Sequence, residues 1–291
     1  MDALLNGSKL LGHWPSILGG LIIGLIIKYF TFLRTKKLRS SKKLPVDGKE
    51  QIQGLSNKSS TEYKKNYWKP ALAEKPFVPF VPGNDLNPNG ARHFYELVRG
   101  RRSIRTFNAL KKPPISTIEN CIRAAGTAPS GAHTEPWTFC VVEDPSIKSA
   151  VREIVEHEEY INYTKRMHAQ WVADLRPLQT NAVKKYITDA PYLIIILKQT
   201  HGTTDDGRKK QHYYNEISTS IATGILLCAL QAAGLCSLVT TPLNCGTALR
   251  RLLNRPDNEK LLILLAVGYA VKNCEVPDLV RKPLDDIMIK Y

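Results

Sequence analysis

Two stretches near the middle of the chain carry residue types suited to a flat, charged ligand. Arg101-Arg102-Ser103-Ile104-Arg105 puts three guanidiniums within five residues. Each is a planar fork of donors, so three of them beside a helix end make a phosphate site; on an alternating segment they serve equally well as a solvated face. Ala128-Pro129-Ser130-Gly131-Ala132-His133-Thr134-Glu135-Pro136-Trp137 is a turn of small residues fenced by two prolines. Such a turn cannot fill a core. Its Ser and Gly leave backbone N–H groups free and let a flat ligand approach the main chain. Taken alone it reads equally as an ordinary helix-to-strand loop. Other chemistries lack their motifs: no G-x-G-x-x-G follows a strand and no Walker A run is present. His157, His168, His201, His212 and the six cysteines show no metal-ligand spacing, and no serine sits in a nucleophile elbow.

The elements around these stretches follow from periodicity. Ala91 to Arg99 has Phe94, Leu97 and Val98 at helical spacing, with Gly100 as its C-cap. Ser116-Thr117-Ile118-Glu119 has the form of a capping box and opens a helix with Ile118, Cys121, Ile122 and Ala125 on its buried face. Phe139 to Val142 is a short strand. Asp144-Pro145 starts another helix, with Ile147, Val151, Ile154 and Val155 turned inward. Glu156 to Tyr186 mixes acids, bases and aromatics, with Trp171, Val172 and Leu175 as its anchors. It reads either as a charged surface helix pair or as a lid that orders over a polar ligand. Tyr192 to Leu197 and Leu261 to Val267 are continuous apolar runs, hence strands buried on both faces. Between them lie a long helix from Asn215 to Ala233 ended by Gly234, a strand at Leu238 to Thr241, and a short helix marked by Leu249, Leu252 and Leu253. Ser218, Ser220, Ala222, Thr223 and Gly224 give the long helix a face that a second helix can approach. The tail from Val276 to Leu284 reads as a docked arm. This alternation predicts an α+β domain over 85–291, a mixed sheet flanked by helices in a three-layer α/β/α arrangement.

Ahead of that domain the sequence changes character. Residues 1–13 form a tail, and Trp14 to Leu33 is an apolar run long enough to span a bilayer, with Lys28 near one end where it can snorkel. The basic cluster follows this run and no small-residue cleavage site appears, which favours a transmembrane anchor over a signal peptide. The positive-inside rule then places the rest of the chain in the cytosol, as a single-pass membrane protein. Residues 34–84 form a basic linker, whose Phe77 to Pro82 is apolar enough to dock as an extended strap. The formal charge is +15, and up to Lys75 there are 14 Lys and Arg against 5 Asp and Glu. Charge gathered there fits a membrane-adjacent segment rather than a nucleic-acid-binding fold. The six cysteines form no C-x-x-C pair and read as reduced thiols.

The arginine run and the small-residue turn together resemble the flavin-binding parts of the nitroreductase superfamily. Three runs are similar, more narrowly, to the iodotyrosine deiodinase family: Pro129 to Trp137, His212-Tyr213-Tyr214-Asn215-Glu216-Ile217-Ser218, and Thr241-Pro242-Leu243-Asn244-Cys245-Gly246. The resemblance extends from about Arg92 onward, and the anchor and linker match the layout of the animal enzymes. It implies FMN as cofactor and an intertwined homodimer with flavins at the subunit interface. The implied reaction is reductive removal of iodide from mono- and diiodotyrosine, with electrons ultimately from NADPH through a separate reductase.

The same resemblance implies roles for individual residues. Arg101, Arg102, Ser103 and Arg105, with Ile104 through its backbone, match the FMN-binding strand, and Arg281 matches an arginine on the FMN phosphate. Pro129 and Ser130 would lie along the flavin, and Thr240 and Thr241 near its N5. Val239 departs from related sequences, which often carry another threonine there. Glu159 is matched to the ammonium of the zwitterionic substrate, Tyr163 and Lys184 to its carboxylate, and the N–H of Ala132 to its phenolate oxygen. Glu159 and Tyr163 are four apart, hence on one helix face. Thr241 and Ala132 are thus the catalytic candidates. Two alternatives stand beside this expectation. One is a general flavin nitroreductase or quinone reductase, which needs no charged lid, and the other is a membrane-tethered, non-catalytic binder of tyrosine derivatives.

Overall fold

The computed structural model describes Lys28, residues 72–81 and residues 87–291. The expected anchor at 14–33 lies outside the described residues except for Lys28, and most of the linker lies outside them too. Among the described residues no helix is long and apolar enough to cross a membrane.

From residue 90 the elements run α1 (Gly90–Arg99), α2 (Ile115–Gly126), β1 (Trp137–Val142), α3 (Pro145–Ile161), α4 (Ala169–Leu175), α5 (Tyr186–Asp189), β2 (Tyr192–Gln199), β3 (His201–Thr203), β4 (Lys209–Gln211), α6 (Asn215–Ala232), β5 (Cys236–Thr240), α7 (Gly246–Leu252) and β6 (Glu259–Gly268). Four strands pair antiparallel in the order β1-β2-β6-β5. A parallel bridge from Ser103 to Ser237 adds the arginine segment at the β5 edge and makes the sheet mixed. β3 and β4 form a separate hairpin.

The continuous apolar runs of β2 and β6 have a direct cause. Successive side chains on a strand point to opposite faces. Leu193, Ile195 and Leu197 pack with Leu264 and Ala266 against Val151 and Val155 of α3, Ile187 of α5 and Leu249 of α7. Tyr192, Ile194 and Ile196 pack with Leu265 and Val267 on the opposite face, against Ile118 and Cys121 of α2 and Leu226 and Leu230 of α6. Two helical layers thus enclose one sheet. Full burial of each such Leu or Ile side chain stabilises the fold by about 1.5–3 kcal/mol.

Local signals set most element ends. Asp144 caps α3 by accepting from the N–H groups of Ser146 and Ile147 (2.8 and 3.0 Å), with Pro145 in the first turn. Gly234 closes α6 at φ +69°, and the Leu235 N–H returns to the Leu230 carbonyl. Gly100 is the C-cap of α1 as expected, in a right-handed conformation (φ −74°), with the Arg101 N–H bonded to the Val98 carbonyl. One expected cap fails. The capping box does not form, because α2 starts at Ile115 after Pro114 and takes Ser116 and Glu119 into the helix itself.

The strap and the arm are not docked on this chain. Phe77, Val78, Phe80 and Val81 are exposed, and so are Leu279, Val280, Ile287 and Ile289 in the tail. The tail is held as far as Pro277, whose carbonyl accepts from Arg102. Phe94 and Leu97 on α1 and Ile217 and Ile221 on α6 are exposed as well. The small face of α6 divides: Ser218, Ala222 and Thr223 are buried, while Ser220 and Gly224 face out.

Gly268 shows how closely the layers meet. A Cβ there would lie 2.5 Å from Pro191 Cδ and 3.1 Å from its Cγ, and a prolyl ring cannot swing aside. Gly268→Ala is expected to destabilise the domain by about 1–3 kcal/mol in urea unfolding. Gly126→Ala, where the added methyl meets nothing within 4 Å, is the control and is expected not to destabilise.

Candidate active site

A cavity of about 490 Å³ opens between the end of α3, the segment after it and the end of β5. Arg105, Glu159, Tyr163, Lys184, Thr240 and Thr241 line it, and Met167, Trp171, Leu175 and Leu178 form an apolar wall. The polar residues come from four separate parts of the chain. Glu159 continues the inward stripe of α3 through Val151 and Val155, so the face that packs on the sheet ends in a carboxylate. α3 then passes into a π turn over Asn162–Arg166, a distortion frequent at functional sites. Tyr163 falls at the start of that turn and still faces the same cavity as Glu159. α4 and the turn Arg176–Leu178 carry the apolar wall.

Lys184 and Glu159 are both buried and form an ion pair of 2.9 Å from Nζ to Oε2. The Lys184 ammonium also lies 5.4 Å from the Tyr163 ring centroid. Its backbone is fixed separately, since the Lys184 N–H donates to Glu156 Oε1 (2.6 Å), which also accepts from Arg152 (2.8 Å). Thus the ammonium is delivered by an irregular segment ahead of α5 that Glu156 of α3 holds in place. Tyr186 lies deeper in the same cavity. Burial pushes its phenol pKa well up, against the opposing effects of Thr240 and Arg105, so it stays a neutral hydroxyl at working pH. Cys245 lies behind the site, and burial together with Glu158 and Glu159 pushes its thiol up to about 12.

The two threonines differ. Thr240 Oγ1 donates to the Leu264 carbonyl at 3.0 Å, which commits its proton to the sheet. Thr241 is exposed to the cavity and its hydroxyl has no hydrogen-bond partner among the described residues. The arginines also divide. Arg102 donates to Pro277, whereas Arg101 and Arg105 are partly buried with no carboxylate in ion-pair reach among the described residues. Arg105 and Ser103 line a second cavity of about 470 Å³ with Asn273 to Pro277. The Ile104 N–H is taken by the Ser237 carbonyl at 3.2 Å and its side chain is in the core, which leaves its carbonyl as the backbone group without a partner among the described residues.

The Ala128–Trp137 turn is strained, with Ala132, His133 and Glu135 at φ of 52°, 50° and 45°. Ser130 Oγ accepts from the Glu135 N–H, and Thr134 Oγ1 donates to the Gly131 carbonyl. The glycine serves a different partner from the one its sequence suggests. A Cβ on Gly131 would lie 3.0 Å from the Tyr213 carbonyl and 3.1 Å from the Tyr214 ring, so the close approach is made by the chain itself. Ala132 is exposed and its N–H takes no part in the turn's backbone bonds. Pro129, Ser130 and Ala132 do not line the cavity that holds Glu159 and Thr241, and neither do Arg101, Arg102, Ser103, Ile104 and Arg281. Arg281 is exposed. Sequence reasoning overlooked Tyr186, Asn162 and Asn244, although Asn162 stands three residues after Glu159 on one helical face.

A known family shares the pattern of this chain, whose sheet lies between two helical layers and whose Arg105, Glu159, Lys184 and Thr241 line one cavity. The sequence pattern of that family, described as the nitroreductase family, matches residues 98–269. Iodotyrosine deiodinase of Drosophila melanogaster is 59% identical over 292 residues, covering 100% of this chain and 99% of that protein. Iodotyrosine deiodinase 1 of Homo sapiens is 52% identical over 82% of this chain and 84% of its own length. A crystal structure of an oxidized iodotyrosine deiodinase bound to FMN and 3-iodo-L-tyrosine superposes with a TM-score of 0.59 at 27% identity, over 68% of this chain and 98% of that one. The chain belongs to the nitroreductase family, and within it to the iodotyrosine deiodinases.

The buried pair yields a stability test. Lys184→Met leaves the Glu159 carboxylate buried without its counter-ion and is expected to cost about 3 kcal/mol in urea unfolding. Adding Glu159→Gln to that variant removes the stranded charge and is expected to restore part of the loss.

Proposed function

We propose that the chain is an FMN-dependent reductive dehalogenase of mono- and diiodotyrosine. The observation that carries this is the buried Glu159–Lys184 pair beside Tyr163, in the same cavity as Thr241. A zwitterionic amino acid enters by exchange. Its ammonium replaces Lys184 on Glu159, and its carboxylate takes the freed Lys184 and the Tyr163 hydroxyl. Two ion pairs stand where one stood, and no buried charge is left alone. A neutral aromatic gains nothing from this exchange. Met167, Trp171, Leu175 and Leu178 then exclude water from the aromatic ring.

The chain's residues fit FMN. Arg101 and Arg105 are guanidiniums without a counter-ion, which a phosphate supplies, with Arg102, Ser103 and Arg281 close by in the assembled site. Thr241 holds an uncommitted hydroxyl for N5, and Thr240 buttresses the strand end behind it. FMN, when bound, supplies the two electrons that, with one proton, convert the carbon–iodine bond to carbon–hydrogen and iodide. Ala132, with its free N–H, holds the phenolate oxygen as a fixed dipole. Electrons come ultimately from NADPH through a separate reductase.

Ala132, Pro129 and Ser130 serve this site from a second copy of the chain, because they do not line the cavity of their own. An intertwined homodimer also accounts for the uncovered α1 and α6 faces and for the extended strap and arm. The apolar 14–33 segment anchors the protein, 34–84 links, and the domain from 85 works on the cytosolic face; the basic cluster after the apolar run supports this orientation.

Two measurements test the proposal. FMN-loaded protein reduced anaerobically with dithionite is expected to release iodide from diiodotyrosine. Glu159→Gln is expected to weaken iodotyrosine binding by about thirtyfold or more while leaving FMN affinity unchanged. Loaded protein that binds iodotyrosine and releases no iodide would instead be a binder, and indifference to Glu159→Gln would point to a general nitroreductase. For the dimer, Ile217→Glu with Ile221→Glu is expected to yield monomers by sedimentation and to abolish FMN retention.

A further inference from the structure

Asn162 is 1% exposed and sits where α3 gives way to the π turn. Its Nδ2 donates to Glu159 Oε1 at 3.3 Å, the carboxylate oxygen that Lys184 does not hold. Its Oδ1 accepts from Asn244 Nδ2 and from Arg166 Nη1, both at 3.2 Å. Arg166 is steadied in turn by Glu158 at 2.6 Å. Asn244 lies three residues beyond Thr241, at φ +64°, a left-handed conformation that Asn and Gly tolerate. The polarity of this chain of bonds is forced. An amide facing a carboxylate must present its NH2 group, which turns its oxygen towards donors, and Asn244 is one of the two that meet it.

We propose that Asn162 and Asn244 are a positioning pair for substrate binding. They hold the Glu159 carboxylate still while Lys184 is exchanged for the substrate ammonium, and they register it against the loop that carries Thr240 and Thr241. This rests on the dehalogenase function proposed above. Without the pair, Glu159 loses its second anchor at the moment Lys184 turns away. The π turn contributes by placing Arg166 on the same side of the lid root as Asn162, where Arg166 and Asn244 both donate to Asn162 Oδ1.

Two substitutions at Asn244 separate positioning from mere packing. Asn244→Gly keeps the left-handed backbone and removes the donor. Asn244→Asp keeps the shape and inverts the polarity, so Asn162 must either rotate its oxygen towards Glu159 or face a second carboxylate. The measurement is the affinity of FMN for the full chain, then the Kd of 3-iodotyrosine from quenching of flavin fluorescence. FMN affinity is expected to stay within about twofold in both variants, the loss being confined to the amino acid site. The Kd is expected to rise about fivefold in Asn244→Gly, the scale of one net hydrogen bond, and about thirtyfold or more in Asn244→Asp, where a charge is set against the relay. An asparagine that only fills space ranks the two the other way, because Asp is the closer shape. That reverse order, an unchanged Kd in both, or loss of FMN affinity overturns the proposal. An unsubstituted chain that holds FMN and ignores iodotyrosine places the failure in the proposed function itself.

Discussion

Two central strands with apolar side chains on both faces impose the architecture. β2 and β6 have no polar face to show to water, so the chain must supply a helical layer on each side of them. α3, α5 and α7 cover one face, and α2 and α6 cover the other. Elements that carry site residues are attached to this frame: the arginine segment bridges to β5, Thr240 ends β5 with Thr241 directly after it, and Glu159 ends the stripe by which α3 packs on the sheet.

The site is built on charges that the fold buries and then compensates internally. Glu159 and Lys184 close on each other, Glu156 orders the Lys184 backbone, and Asn162 takes the remaining Glu159 oxygen. Among the described residues no buried side-chain nitrogen or oxygen is left without a hydrogen bond. A closed polar set of this kind is stiff, and exchanging one ion pair for two is the route into it that strands no charge. Other groups are uncommitted. Arg105 and the Thr241 hydroxyl line the cavity, Arg101 and the Ala132 N–H lie outside it, and these are the groups the proposed flavin and phenolate would engage.

The uncovered surfaces follow the same logic. Exposed Phe94, Leu97, Ile217 and Ile221, together with a strap and an arm that fold onto nothing in their own chain, are costly as free surface and economical as an interface. The proposed dimer unites these features with the distance of the Ala128–Trp137 turn from the Glu159 cavity. A strained turn held by Tyr213 and Tyr214 is well suited to presenting one free N–H to another subunit.

Much of this was legible in the sequence because it depends on local chemistry. Strand runs, the Asp144-Pro145 helix start, the Gly234 stop, the small-residue turn and the arginine run are written in neighbouring residues. Glu159, Tyr163, Lys184, Thr240 and Thr241 were singled out by the resemblance to the deiodinases rather than by local chemistry, and the structure brings those five to one cavity. The failures also have local form and tertiary causes. Pro114 moved the start of α2 ahead of its capping box, and the strap and arm lacked a surface of their own chain to cover. What only the tertiary structure decided is how groups distant in sequence share atoms. That Lys184 closes on Glu159, that Thr240 and not Thr241 gives its proton to the sheet, and that Asn244 reaches Asn162 across 82 residues depend on packing in three dimensions, which no periodicity encodes.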